Sequence, residues 1–397
     1  MIAKELGARE SVKEKRRQTE DPMSVAKRCG KLLFSLAVSV VALFVICACS
    51  VLEGEKQVFI NISEEQLVLA AGDEAQLTAV ASDAKAVGWS SSAPEVASVS
   101  AEGKVKAISE GEAVVTASSA GGKAQASCLV VVLSAPAVEG YTLVWHDEFD
   151  GDAIDSEKWG FQTGVRDTYG SSTGPLYWGN NELQYYTQDA VRVADGVLTI
   201  TATKEPMPEG RSYSSGRILT RDKFSFTYGY IEARMQTPAE AGMWPAFWML
   251  PQPSGTENDN NEYGWWAANG EIDIMEAKGR LSNVADQTLH FGNKGTSTYA
   301  TNSTEVSGST QEWHVYGLEW TPDYIAWFID GAEVFRVENA RWWTESVPKQ
   351  ENPYAPFDKD FYILFNLAVG GNYDGGTSPS EDFVCASMCI DYVRVYQ

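Results

Sequence analysis

From Tyr141 to Gln397 apolar and polar residues alternate with a period of two, and long stretches with the helical period are absent. "LTITATKE", "YGYIEARMQT", "HVYGLEWTP", "YIAWFIDGAEVFRV" and "CIDYVRVYQ" each place every second side chain on one face. Such segments fold as strands with one face to the core and one to solvent. About 255 residues of them in one domain predict an all-β, two-sheet jelly-roll sandwich spanning 141–397.

Residues 57–133 carry a second all-β pattern of shorter strands separated by Gly and Asp turns, which predicts a small antiparallel sandwich. "GWSSSAPEVASVSAEGKVKAISEGEAVVTA" resembles bacterial immunoglobulin-like modules of group 2. Trp89 reads as its buried core aromatic, with sugar binding as the alternative. The Pro- and Ala-containing break at 134–140 is expected to join the two domains.

Lys27, Arg28 and Lys31 precede an uncharged apolar run, Leu32 to Ala48, that stops at Cys49. Basic, apolar and small-residue regions in that order are an export signal. Ile46-Cys47-Ala48-Cys49 resembles a bacterial lipoprotein signal, which implies lipid attachment at Cys49 and a short tether at 50–56. Met23 is an expected true start, because starting there leaves a signal of ordinary length. The chain is therefore expected to be an exported bacterial lipoprotein of the outer membrane or cell surface, held to the membrane only through its lipid.

Up to Lys31 there are 9 basic and 5 acidic residues; of the 31 and 54 in the whole chain this leaves 22 and 49, a net charge of −27. Such a surface repels phosphate backbones, so nucleic acid is excluded as a partner and a neutral polysaccharide fits best. Cys128, Cys385 and Cys389 in the mature body do not make a disulfide framework. Pairing of Cys385 with Cys389 would require Ala386 to Met388 to turn, and two separate thiols are the alternative.

"GEIDIMEAKG", 270–279, holds the chemistry. Strict alternation places Glu271 and Asp273 on one face and Ile272 and Ile274 on the other, but leaves Met275 beside the acids and Glu276 behind. One bulge between Asp273 and Glu276 returns Glu276 to the acidic face. Three acids on one face repel one another and raise at least one pKa. Retaining glycoside hydrolysis uses such a set, with one carboxyl as nucleophile and one as acid then base.

That stretch, with "WHDEFDGDAIDSEKW", "YWGNNELQYYTQDAVRVADGVLTITATKE", "YSSGRILTRDKFSFTYGYIEARMQTPAEAGMWPAFWMLP", "TLHFG" and "FNLAVGGNYDGG", resembles glycoside hydrolase family 16, particularly its laminarinase-like branch. The resemblance implies a cleft across a concave sheet and endo cleavage of a β-linked glucan or galactan with retention. It assigns Glu271 as nucleophile, Asp273 as the residue that positions and tunes it, and Glu276 as acid/base. It also implies Asn180 and Arg217 as sugar-binding residues.

Trp244 and Trp248 lie on one strand face and are expected in the cleft. His290 is expected to hydrogen-bond the acid/base carboxyl from a neighbouring strand. The resemblance further implies a structural calcium ion on the convex face, held by Glu148, the carbonyl of Gly196 and Asp391; catalysis itself needs no cofactor. Trp265-Trp266 and the segment after His290 depart from the usual laminarinase-like pattern, which bears on substrate more than on mechanism.

The leading expectation is a monomeric endo-glucanase cleaving β-1,3 linkages in laminarin or mixed β-1,3/1,4-glucan. An endo-β-galactosidase acting on galactan or O-glycan chains, and a non-catalytic carbohydrate-binding protein, are the alternatives. The immunoglobulin-like region is expected to act as a spacer.

Overall fold

The computed structural model describes residues 57–166, 176–254 and 261–397. The export signal, Met23, Cys49 and the tether lie outside the described residues.

The first sandwich packs a four-stranded sheet, Gln66–Ala70, Gln125–Leu133, Gly111–Ser118 and Gly88–Ser91, against the three strands Glu74–Gln76, Lys104–Ala107 and Ala97–Val99. Alternation drives it: Ala113, Val115, Cys128, Val130 and Val132 point inward and are buried. Trp89 packs against this core and is half-buried, which favours its reading as a core aromatic. Gly103 shows how closely, since a Cβ there would lie 2.9 Å from the Trp89 ring and 2.4 Å from the Leu77 carbonyl oxygen.

The second region is the expected two-sheet sandwich. A seven-stranded sheet runs in the order Gly160–Phe161, Arg217–Leu219, Phe361–Val369, Met243–Pro251, Glu271–Glu276, Val284–Asn293 and Thr296–Glu305. Facing it is a ten-stranded sheet whose centre is formed by Val197–Met207, Cys385–Tyr396, Gly229–Gln236, His314–Trp320 and Tyr324–Ile329. Phe247, Met249, Ile272, Leu289 and Phe365 from the first sheet meet Ile231, Leu318, Trp327, Val393 and Val395 from the second in one buried cluster. Cys385 and Cys389 form no disulfide and lie on one continuous strand.

The break at 134–140 is anchored at both ends. The Ser134 hydroxyl accepts from Arg394 at 2.8 Å, and the Tyr141 hydroxyl donates to Glu319 at 3.1 Å. Asp73 of the first sandwich accepts from the backbone N–H of Leu143 at 3.3 Å. Ala70, 1% exposed, shares an apolar cluster with Tyr230, Ala326, Phe328 and Tyr396 of the second. The small sandwich is thus docked on the ten-stranded sheet.

Enlarging a buried contact costs about 1–3 kcal/mol, more when a charge is forced in. Ala70→Arg is expected to lower the unfolding midpoint and to open the 134–140 segment to limited proteolysis, with the seven-stranded sheet left intact. Unchanged protease resistance would refute the docking.

Candidate active site

The acidic strand Glu271–Glu276 lies inside the seven-stranded sheet between Met243–Pro251 and Val284–Asn293. Asp273 pairs with Thr288 and Glu276 with Asp286, so Ile274 and Met275 together oppose the single residue Gln287. This is the bulge that the alternation calls for. Ile272, Ile274 and Met275 all enter the core, while the Glu271, Asp273 and Glu276 carboxyls gather on the other face.

The pairing of Glu271 with His290 fixes the histidine's neighbours. Its Nε2 lies 3.3 Å from Asp273 Oδ2 and 3.8 Å from Glu271 Oε1, and its Nδ1 is 2.7 Å from the Ser297 hydroxyl. The expected bond from His290 to Glu276 is not formed, because Glu276 pairs further along the strand, opposite Asp286. His290 serves the Glu271–Asp273 end instead.

Glu276 is held by Trp244, whose Nε1 donates to Oε1 at 2.8 Å. The Trp244 indole stacks on Tyr373 with ring centroids 4.7 Å apart. Tyr373 in turn donates to Asp286 Oδ2, which also takes the Lys278 ammonium, each at 2.5 Å. Glu276 is therefore braced by stacking and by an ion pair on its own side of the site.

Burial raises the pKa of all three acids, to about 8 each. For Glu271 and Glu276 the Asp273 charge adds to burial, while His290 and the bonds from Trp266 and Trp244 oppose it. A carboxylate out of water and beside another resists ionisation. Protons are shed from such a set as a coupled unit.

Trp248 and Arg217 form a wall across the neighbouring strands. The Trp248 Nε1 donates to Asn366 Oδ1 at 2.7 Å, and the Arg217 guanidinium is clamped between the Trp178 and Trp248 rings, 4.7 Å from each centroid. Arg217 Nε donates to Gln162 at 2.5 Å. Below it is Glu182, 4% exposed, which accepts from Gln184 at 2.5 Å and is also bonded by Tyr186 and Asn180. Burial pushes its carboxyl up, with the Gln184 bond and the Arg217 charge opposing.

The structure thus sets Trp244 and His290 against the acids, and gathers Arg217, Trp248 and Asn180 with Trp178, Asn366 and Glu182 on neighbouring elements. The sequence reading missed Gln162, Trp178, Glu182, Asn366 and Tyr373, and it treated Trp266 only as a loop difference. Trp178 and Glu182 flank Asn180 in "YWGNNELQYY", where the alternation into Gln184 and Tyr186 was the available signal.

The calcium expectation is corrected. Both oxygens of Glu148 accept from Arg394, at 2.9 and 2.8 Å, and Asp391 accepts from Arg234 at 2.6 Å. A calcium ion needs six to eight oxygens without competing cations. With a guanidinium on each carboxylate, Glu148, Gly196 and Asp391 do not form such a cage.

Residues 179–362 match the Glycosyl hydrolases family 16 profile, and residues 58–130 match the Bacterial Ig-like domain (group 2) profile. A glucan endo-1,3-beta-glucosidase A1 of Niallia circulans is 42% identical over 66% of this chain and 39% of its own length. A beta-glucanase of Rhodothermus marinus is 40% identical over 65% of this chain and 85% of its own length. The chain belongs to glycosyl hydrolase family 16. The structure of the laminarinase from Rhodothermus marinus superposes with a TM-score of 0.53 at 39% identity, covering 65% of this chain and 98% of that one. The laminarinase catalytic domain of Thermotoga maritima gives 0.56 at 33% identity, covering 65% and 99%. The chain is a glycoside hydrolase.

Keeping acids buried in a cleft has a stability cost with a definite sign. Glu271 has its folded pKa raised from 4.5 to about 8. Both states hold the proton below about pH 4.5; above it the unfolded chain ionises freely and the folded one does not, so stability falls as pH rises towards 8. Glu271→Gln is expected to melt a few degrees above the parent at pH 8, at roughly 2–4 °C per kcal/mol, with the gap closing near pH 4. Calorimetry across that range would expose a pH-independent difference, the contrary result.

Proposed function

We propose that the protein is a retaining, endo-acting hydrolase of β-1,3 linkages in laminarin-type β-1,3-glucan or mixed β-1,3/1,4-glucan. The observation that carries this reading is the bulged strand that turns Glu271, Asp273 and Glu276 onto one face, with Trp244 bonded to Glu276 and His290 beside the other two. The relatives named for endo-1,3-β-glucanase and laminarinase activity support the substrate class.

In the first step a Glu271 carboxylate oxygen attacks the anomeric carbon and forms a glycosyl ester, while the Glu276 carboxyl gives its proton to the departing glycosidic oxygen. In the second, the Glu276 carboxylate takes a proton from water, the hydroxide oxygen bonds to the anomeric carbon, and Glu271 leaves as carboxylate. Asp273 orients Glu271 and, through its charge, keeps Glu276 protonated to higher pH. Trp248, Arg217 and Asn180 hold sugar on one side of the scissile bond. No residue set in this scheme calls for a cofactor.

The leader residues Lys27 to Cys49 support export as a lipoprotein, which would place the enzyme where it meets polysaccharide. The docked immunoglobulin-like sandwich then acts as a rigid support between anchor and cleft.

Incubation of the protein with laminarin, mixed-linkage glucan and a β-linked galactan, with mass spectrometry of the products, tests the substrate. Gluco-oligosaccharides are expected, and galactose-containing products alone would overturn the assignment. Glu271→Gln and Glu276→Gln should each lower kcat by several orders of magnitude while remaining folded. Trp244→Phe keeps the stack on Tyr373 but deletes a bond that lowers the Glu276 pKa. The basic limb of its pH–rate profile should therefore move to higher pH, and a shift the other way would contradict the role given to Glu276.

A further inference from the structure

A bulge interrupts the ladder, and a backbone carbonyl left in an apolar core must find a donor. Beneath the acidic strand the donor comes from the opposite sheet. The indole Nε1 of Trp327 donates to the backbone carbonyl oxygen of Asp273 at 2.8 Å, in a buried environment. Trp327 belongs to Tyr324–Ile329, has no exposed surface, and packs on Phe335 with ring centroids 5.0 Å apart. Its strand also shifts register against Ala332–Glu338 between Trp327 and Phe328. Irregularities in two different sheets are thus tied by one hydrogen bond.

Other buried indoles also satisfy their N–H: Trp320 donates to the Phe357 carbonyl at 3.1 Å and Trp342 to that of Tyr354 at 3.2 Å. Those bonds hold connecting segments. The Asp273 carbonyl instead sits where the register slips, between Asp273 and Glu276.

We propose that Trp327 is a positioning residue for the acidic triad: its N–H pins the Asp273 carbonyl so that the extra residue stays between Asp273 and Glu276. Strand side chains have a period of two, so relaxing the bulge by one residue brings Met275 to the cleft and turns Glu276 to the core. This inference rests on the catalytic reading of the three acids.

Trp327→Phe keeps an aromatic ring and deletes the donor. Phe335→Leu loosens the same packing without touching the bond. Trp327→Phe is expected to lose roughly 10- to 100-fold in kcat, the scale of a small misplacement of reacting groups, with KM on laminarin little changed and the basic limb of the pH–rate profile displaced. Phe335→Leu, at a similar fall in melting temperature, should keep the parental kcat and pH profile. Parental kcat and pH profile in Trp327→Phe, or activity falling in step with melting temperature in both variants, overturns the proposal. If Trp327→Phe does not fold, benzothienylalanine at position 327, with sulfur in place of the N–H, gives the same two outcomes. Glu276→Gln assayed alongside separates the readings: if it is active the catalytic assignment fails, whereas if it is inactive and Trp327→Phe is unaffected only the positioning role fails.

Discussion

One extra residue in one strand organises the cleft. Without the slip between Asp273 and Glu276, a strand in this sheet could offer its open face Glu271 and Asp273 but not Glu276. The slip sends two consecutive apolar side chains, Ile274 and Met275, into the core, and they are accommodated because the opposing sheet supplies large, buried partners there. Geometry of the acids and packing of the sandwich are therefore the same problem, solved at the same place.

Bringing three carboxyls together out of water is unfavourable, and the surrounding residues divide that burden by position. At one end His290 and Trp266 face Glu271; at the other Trp244 reaches Glu276, backed by Tyr373 and the Lys278–Asp286 pair. The two ends are held by different neighbours, as the proposed mechanism, with one carboxyl ionised and one protonated, requires. Site and scaffold conflict here in the way expected of functional positions.

Period-two alternation carried most of the fold, because each strand buries one face and the pattern survives in the one-dimensional string. The acids were legible for the same reason: three of them broke the alternation in a way that one inserted residue repairs. What the string withheld were contacts set by register between distant strands. His290 was placed near the right strand but assigned to the wrong carboxyl, since its partner depends on the pairing with Glu271 rather than on its spacing from it. Gln162 and Glu182 are ordinary polar residues locally and become part of the site only when they meet under Arg217. The calcium cage failed for a related reason: Glu148 and Asp391 carried no local sign that Arg394 and Arg234 would close on them.

Arg217 lies 4.7 Å from two indole rings and is bonded at Nε to Gln162, whereas Trp266 and Tyr299, which pack on His290, stand 39% and 57% exposed. One end of the cleft is a finished mould and the other is soft. On the proposed function, a sugar meeting the enclosed end would cost little ordering of the protein. The exposed rings of Trp266 and Tyr299 would offer apolar faces to the proposed substrate at the other end. The part of the chain that would set the fit to substrate is then separate from the bulge that holds the acids.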